Sequence, residues 1–275
     1  MLPLSLLTLA FGLRALAPQS DYELAYRQAL RDHKDLVIHF RADTRLDRAL
    51  AHPDVRRRLN RYVFLQVPAT YQYQGKRLLD GGALSEMGGR PGLAVVSLQD
   101  PKLATHKTVI SAHPLMPSRY GWAPSCGACE IRTMLDLPPT ATLTQRSMMY
   151  AVRVHPERPQ SVYGLPHRAF LTHARRHSLR QASMLNQHHA DLASATSYLQ
   201  SQSGCSVGSA SEVVAESWGA VVGGENVLEA AFSCVDAWRH SPGHWSAVSR
   251  PHRYFGYDLA RGGNGTWYAT GIFAD

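Results

Sequence analysis

The sequence contains one close pair of cysteines, Cys126-Gly-Ala-Cys129, in a stretch rich in proline and glycine. Two cysteines at this spacing can exchange disulfides, supply half of a zinc site or form a tight structural disulfide. No histidine follows Cys129, which excludes covalent haem attachment through Cys-x-x-Cys-His. The chain has no second Cys-x-x-Cys, so a zinc site here would need histidine ligands. The residues alone leave the three chemistries open.

One of the 14 histidines, His189, falls where the pattern predicts an inward side chain. A helix is predicted over residues 184–201, and His189 shares one face of it with apolar neighbours. The residues at the same helical spacing are Leu185, Leu192 and Thr196. Such a histidine either serves a functional cleft or is a core residue held by hydrogen bonds.

Glu216 is the carboxylate that the pattern places near a core. In a strand predicted over residues 212–218, alternation puts Glu216 on the same face as Val214 and Trp218. A carboxylate among apolar side chains needs a partner, because its desolvation is costly. An edge strand with Glu216 in solvent is the alternative.

The composition of the 275 residues fits a folded chain of about two domains. Hydrophobic residues make up 44% and charged residues 18%, which argues against disorder throughout the chain. No apolar stretch of about 18 residues exists outside the N-terminus, which argues against a multi-span membrane protein. The net charge of +8 permits an anionic partner but selects none. The basic runs at Arg56 and Arg175 come without a recognised nucleic-acid motif, so no nucleic-acid partner is expected.

The N-terminus predicts export. Residues 2–13 are almost continuously apolar, and Ala15-Leu16-Ala17 has the small-x-small form of a signal-peptidase site, so residues 1–17 are predicted to be a signal peptide and the protein extracellular or periplasmic. An N-terminal helix or an uncleaved anchor is the alternative.

The other two cysteines are Cys205 and Cys234. In an exported protein they can form a disulfide that joins a loop to a helix, whereas two buried thiols are expected otherwise.

Strands alternate with helices in the first half, which indicates an α/β layered domain over residues 19–118. Helices are predicted over 21–34 and 45–60, with a break at Pro53, and strands over 36–40, 62–67, 93–98 and 107–111.

Residues 119–160 are predicted to be a proline-rich, extended connector in which 148–154 is a candidate strand. In the second half, over 161–275, helices are predicted at 166–182, 184–201 and 226–239, and strands at 212–218, 254–259 and 266–273. Asn264-Gly265 is a hairpin turn signal between the last two strands.

The first half resembles a thioredoxin-like domain over roughly residues 20–112. The resemblance rests on Ala42-Asp43-Thr44, Asp54-Val55, Tyr62-Val63-Phe64 and Gly89-Arg90-Pro91-Gly92. It implies a cis peptide bond before Pro91. The redox cysteines of that family would fall on Arg45-Leu46-Asp47-Arg48, which cannot exchange disulfides, so this position is expected to be redox-inactive.

The second half resembles the CAP superfamily, the SCP-like extracellular domain, over about residues 167–273. The resemblance rests mainly on Val235-Asp-Ala-Trp238-Arg-His-Ser241-Pro-Gly-His244, and also on His189-Ala190-Asp191-Leu192-Ala193, Ala215-Glu216-Ser217 and the closing strand 267–273. It implies an α/β/α sandwich whose cleft holds His189, Glu216 and His244. Ser241 stands where many members carry a second glutamate. Two imidazoles and one carboxylate suit zinc or another divalent metal, and can also perform acid–base chemistry.

These features together predict an exported two-domain binding or scaffold protein of the α/β class. Its ligand would be a divalent metal, a small apolar molecule, a lipid or a cell-surface component, and the protein is expected not to be an enzyme. A peptide or ester hydrolase in the same cleft is the first alternative, although no serine has the Gly-x-Ser-x-Gly context. A thiol oxidoreductase that uses Cys126 and Cys129 is the second.

Overall fold

The computed structural model describes residues 18–42, 44–124, 126–204, 207–217 and 225–275. The predicted signal peptide at 1–17, Cys205 and Trp218 lie outside these described residues. Within them, helices and mixed parallel and antiparallel sheets form an α/β protein, as the sequence predicts. The same residues contain no helix that combines the length and the apolar character needed to cross a bilayer.

A four-stranded sheet occupies the first half of the chain. Its elements are α1 (Tyr22–Arg31), β1 (Leu36–Arg41), α2 (Thr44–Ala51), α3 (Pro53–Leu59), β2 (Val63–Pro68), the small ribbon β3 (Gln72–Tyr73) and β4 (Lys76–Arg77), β5 (Gly92–Val96) and β6 (Val109–Pro114). The strand order is β2-β1-β5-β6, with β1 and β2 parallel and the other pairs antiparallel. The break predicted at Pro53 is present, because His52 caps α3 and accepts a hydrogen bond from the backbone of Asp54.

The expected cis peptide bond before Pro91 is wrong, because every described peptide bond is trans. The chain turns at this point through left-handed glycines instead. Gly88 and Gly89 have φ angles of 56° and 67°, which glycine adopts without the steric cost of a side chain. Gly92 follows with φ of 145°, and a Cβ atom there would lie 2.2 Å from the His113 carbonyl oxygen on β6.

The predicted extended connector contains two helices, α4 (Ala128–Leu135) and α5 (Leu143–Val154). The strand predicted over 148–154 is therefore wrong. Five consecutive side chains from Met148 to Val152 are buried, so the segment lacks the polar face that reveals a helix in a sequence. Thr142 and Gln145 form a reciprocal capping box at its start, which the proline-based reasoning overlooked.

We expect Thr142→Ala to lower the free energy of unfolding by about 1 kcal/mol, because it removes the hydroxyl that caps α5. Urea denaturation would measure the change. Thr140→Ala, two residues earlier at an exposed position, is the matched control and should change stability little. Equal effects of the two substitutions would show that the capping bond contributes nothing measurable.

A second four-stranded sheet occupies the C-terminal half. Its elements are β7 (Leu165–Pro166), α6 (Arg168–Met184), α7 (Leu192–Ser203), β8 (Ser211–Glu216), α8 (Val227–Arg239), α9 (Pro242–Ser249), β9 (Tyr254–Arg261) and β10 (Trp267–Ala274). The strand order is β7-β9-β10-β8, and β9 and β10 form the predicted antiparallel hairpin. Helix α6 comes so close to β9 that a Cβ atom on Gly256 would lie 2.3 Å from the Phe170 carbonyl carbon.

One continuous apolar core joins the two sheets. Helix α5 packs against β6 of the first sheet and against β9 and α8 of the second half. The buried cluster around it includes Val95 and Ile110 from the first sheet, and Tyr257 and Phe273 from the second. Asn226 caps α8 with hydrogen bonds to two backbone amides, as the sequence predicts, and α8 buries Trp238 completely in this core. The element predicted to separate the two halves therefore connects them.

Candidate functional site

His189 lies in the loop between α6 and α7, and not on a helix as predicted. Leu185 adopts a left-handed conformation with φ of 52° and ends α6, so the expected stripe of residues does not form. Helix α7 begins only at Leu192, where Asp191 accepts a hydrogen bond from the backbone of Ala193. The His189 side chain is about half exposed, with 52% of its surface in solvent.

The carboxylate beside His189 belongs to Glu212, and not to Glu216. The Glu212 side chain is completely buried, and its Oε1 lies 3.2 Å from His189 Nδ1. The same oxygen accepts a hydrogen bond of 2.8 Å from the backbone amide of Ala190. Glu216 lies four residues further along β8, opposite Tyr268 of β10, and is only half-buried. Both glutamates have the same alternation parity on the strand, so the pattern identified the correct face but the wrong residue.

His244 meets His189 from the other side. Pro242 begins α9 directly after Ser241, and His244 stands in its first turn. The Nε2 atoms of His244 and His189 are 3.5 Å apart. Ser241 precedes α9, and its hydroxyl makes no capping bond to that helix. The structure thus brings together His189 and His244, with Glu212 behind them.

Two further histidines surround Glu212, and the sequence reasoning missed them. His173 and His177 stand four residues apart on α6, and their Nε2 atoms lie 3.9 Å and 3.8 Å from Glu212 Oε2. His177 Nε2 is also 2.8 Å from the His188 carbonyl oxygen. Their separation of four residues in a predicted helix was the available signal, since such residues share one face.

The protonation states follow from this environment. Burial alone would raise the pKa of Glu212, but His173, the Ala190 amide, His177 and His189 outweigh it and lower the pKa. Burial lowers the pKa of His244, and the neighbouring His189 lowers it further. The lowered pKa makes Glu212 an ionised acceptor at neutral pH, so the hydrogen bond between Glu212 and His189 requires a proton on His189 Nδ1.

A cavity of about 510 Å³ opens beside this group. Its lining is mixed, with apolar surface and Asp191 beside the basic and imidazole side chains of His173, His177, His188, His189, Arg176 and Arg180. The guanidinium of Arg176 lies over the ring of Tyr198, 5.3 Å from its centroid. Four imidazoles and two guanidinium groups favour an anionic occupant over an apolar one.

A direct three-residue metal centre does not form in the described ranges: no group of three or more His, Cys, Asp or Glu side chains there could hold an ion. The protein donors available to a metal in this cleft are therefore the two facing imidazoles. The set of His189, Glu216 and His244 predicted from the resemblance differs from this arrangement, because Glu212 takes the place of Glu216 and contacts His189 at Nδ1, the ring nitrogen that does not face His244.

The described cysteines are all thiols: Cys126 is half-buried, Cys129 exposed and Cys234 buried. The structural disulfide considered for Cys126 and Cys129 is thus not formed. The side chain of Cys129 instead contacts Arg132, one turn later on α4. Burial raises the pKa of Cys234 well above its usual range, as expected for a thiol in an apolar core. The predicted partner of Cys234, Cys205, lies outside the described residues.

The chain matches no protein-family model and no curated protein.

Proposed function

We propose that this chain is an exported binding protein of two modules, and that His189 and His244 in the second module bind a divalent metal ion, with zinc as the preferred ion. The observation that carries the proposal is the pair of Nε2 atoms 3.5 Å apart at the edge of a cavity. The apolar residues 2–13 and the small residues that follow them support export. The first module, with Arg45 and Arg48 where the cysteines of a redox pair would stand, serves as a scaffold.

The spacing of the two nitrogens suits zinc. Zinc–nitrogen bonds of about 2.0–2.1 Å at a tetrahedral angle place two ligand nitrogens about 3.4 Å apart. The observed separation is therefore close to the value that shared coordination needs. The two other tetrahedral positions remain for water or for donor atoms of a ligand, so a bound ion would act as a Lewis acid toward an anionic group.

Glu212 acts on His189 and not on the metal. It accepts from Nδ1, fixes the tautomer and holds the ring, so that Nε2 keeps its lone pair toward His244. Its own position is fixed by the Ala190 amide. The lowered pKa of His244 means that protons compete with a metal for this imidazole only at a lower pH than they would for an ordinary histidine. The cavity beside the pair, with Arg176 and Arg180, would accept the rest of an anionic ligand.

Zinc titration by calorimetry tests the proposal. We expect His189→Ala and His244→Ala each to weaken zinc binding at least about tenfold, and Glu212→Gln to weaken it by about 10- to 100-fold through the orientation of His189. Binding should also weaken as the pH falls, because protons compete for the imidazoles.

His240→Ala is the matched control. His240 is an exposed histidine at the end of α8, and its Nδ1 lies close to the backbone and carboxylate oxygens of Asp236. It should leave zinc affinity unchanged. If the two cleft variants bind zinc as tightly as the unmodified protein does, the metal proposal is wrong. Thermal melting of each variant without zinc separates loss of the site from loss of the fold.

A further inference from the structure

The two thiols of Cys126-Gly-Ala-Cys129 stand in different surroundings at the start of α4. Gly127 caps the helix, so Cys126 precedes it and Cys129 lies in its first turn. Cys129 is exposed, whereas Cys126 is half-buried. Because of this difference in exposure, solvent and solutes reach Cys129 more easily than Cys126. The free backbone amides at the start of a helix also favour negative charge on nearby groups.

Arg132 distinguishes Cys129 from Cys126. Its Nη2 donates to Cys129 Sγ at 3.1 Å, while Nη1 contacts Asp54 at 3.2 Å. A guanidinium that is held in place by a carboxylate and donates to this sulfur provides a counter-charge for the negative charge that the sulfur carries when it attacks a disulfide. This geometry makes Cys129 the nucleophile of the pair.

Cys126 faces inward, into a cavity of about 410 Å³ between the first sheet and α8. The cavity is also lined by Arg45, His113, Tyr150 and Glu229. Burial raises the pKa of Cys126 to about 12, with a further contribution from Glu130 against that of Arg45. A protonated, inner thiol beside a reactive outer one is suited to the second step of an exchange reaction.

The cavity at Cys126 also borders the position in the first module where the resemblance expects a cysteine. Arg45, which stands where the resemblance expects the first cysteine of the first module, lines the same cavity as Cys126. The thiol that position lacks is thus supplied by a segment about 80 residues later in the chain. The cavity has the size of a small-molecule site and reaches Cys126, whereas Cys129 lies outside its lining and is open to solvent.

We propose that Cys126 and Cys129 are a thiol–disulfide exchange pair that reduces small-molecule disulfides. The thiolate of Cys129 attacks one sulfur of the substrate disulfide, the S–S bond breaks, and the first product leaves as a thiolate that takes up a proton. Cys126 then loses its proton to the second leaving sulfur and attacks Cys129 Sγ. The products are two substrate thiols and a Cys126–Cys129 disulfide, so two electrons pass from the protein to the substrate. The proposal is independent of the metal cleft.

Glutathione disulfide is the probe, added to the reduced full-length protein and followed by intact mass and peptide mapping. We expect the unmodified protein to lose two hydrogens and release two equivalents of glutathione, without a lasting adduct. Cys126→Ser should stop at one glutathionyl group on Cys129. Cys129→Ser should form no adduct at Cys126 over the same period.

Arg132 is tested in the Cys126→Ser background, where the first step is isolated. Arg132→Gln should slow adduct formation roughly tenfold, and Arg132→Lys should restore part of the rate. Arg57→Gln is the matched control, because Arg57 also pairs with Asp54 but makes no described contact with Cys129. Equal adduct formation at both cysteines, or an adduct in the unmodified protein that never resolves to the disulfide, would overturn the proposal.

Discussion

Replacing Arg146 by methionine is expected to lower the free energy of unfolding by about 4 kcal/mol. Arg146 lies on α5 and is almost completely buried, with 1% of its surface exposed. Its guanidinium donates to the Ser111 hydroxyl on β6 and to three backbone carbonyls at or just beyond the end of α4, those of Met134, Leu137 and Pro138, at 2.8–2.9 Å.

The size of the effect follows from what remains after the substitution. Methionine fills similar space but leaves the buried carbonyl groups without a donor, and each such group costs about 1–3 kcal/mol. Part of this cost is offset because the variant no longer buries a charge. Burial lowers the pKa of Arg146 to about 10, so the wild-type side chain is still cationic at neutral pH and also suits the negative end of α4.

Urea denaturation of Arg146→Met measures this effect. Arg153→Met is the control on the same helix, since Arg153 is only half-buried and donates at 3.3 Å and 3.4 Å to two carbonyl oxygens. We expect it to cost about 1 kcal/mol or less. If both variants lose the same stability, the buried network of Arg146 has no special role.

Asp258→Asn is expected to raise the free energy of unfolding at pH 7 by about 3 kcal/mol. Asp258 lies on β9 and is buried, and this burial raises its pKa from 3.8 to about 6 despite bonds from the Leu259 amide and Gln145. At neutral pH the folded protein therefore holds a buried charge that the unfolded chain solvates better. Asparagine keeps the oxygen that accepts from Leu259 and removes the charge.

The sign of the pH dependence follows from the raised pKa. Between about pH 4 and pH 6 the folded protein binds more protons at Asp258 than the unfolded chain does, so this residue makes stability fall as the pH rises. Below pH 4 both states are protonated and the cost disappears. The difference in unfolding free energy between Asp258→Asn and the unmodified protein should therefore grow across this range and then level off.

Denaturation at several pH values with Asp32→Asn as an exposed control tests this. A pH-independent difference for Asp258→Asn would show that its stabilisation, if any, does not come from the buried charge.

Hydrophobic periodicity predicted the elements whose faces differ in polarity. Helix α8 has an apolar stripe and a capping asparagine, and the hairpin of β9 and β10 has its Asn-Gly turn, so both appear where expected. Helix α5 was mistaken for a strand because it is buried between two sheets and has no polar stripe in its second half. Its tertiary surroundings, which a local pattern does not contain, decide its form.

The site could be predicted in part. His244 was identified from the motif at the start of α9. His189 was wrongly predicted to lie on a helix, because the apolar Leu185 fits the stripe of a helix although in the structure it ends one. Its left-handed conformation is a backbone choice that leaves no trace in hydrophobicity. Glu212 and Glu216 have equal parity on β8, so only the distance along the strand to His189 distinguishes them.

The shared helix α5 has a consequence for how the two proposed sites relate to each other. Because its buried face belongs to the cores of both sheets, removal of either half would expose apolar surface on the other, and the two halves are expected to unfold in one cooperative transition. A ligand that binds the folded chain at either site then stabilises the whole chain by mass action. An ion in the His189–His244 cleft would thus protect the half-buried Cys126 thiol from full exposure by unfolding, without any contact between the two sites.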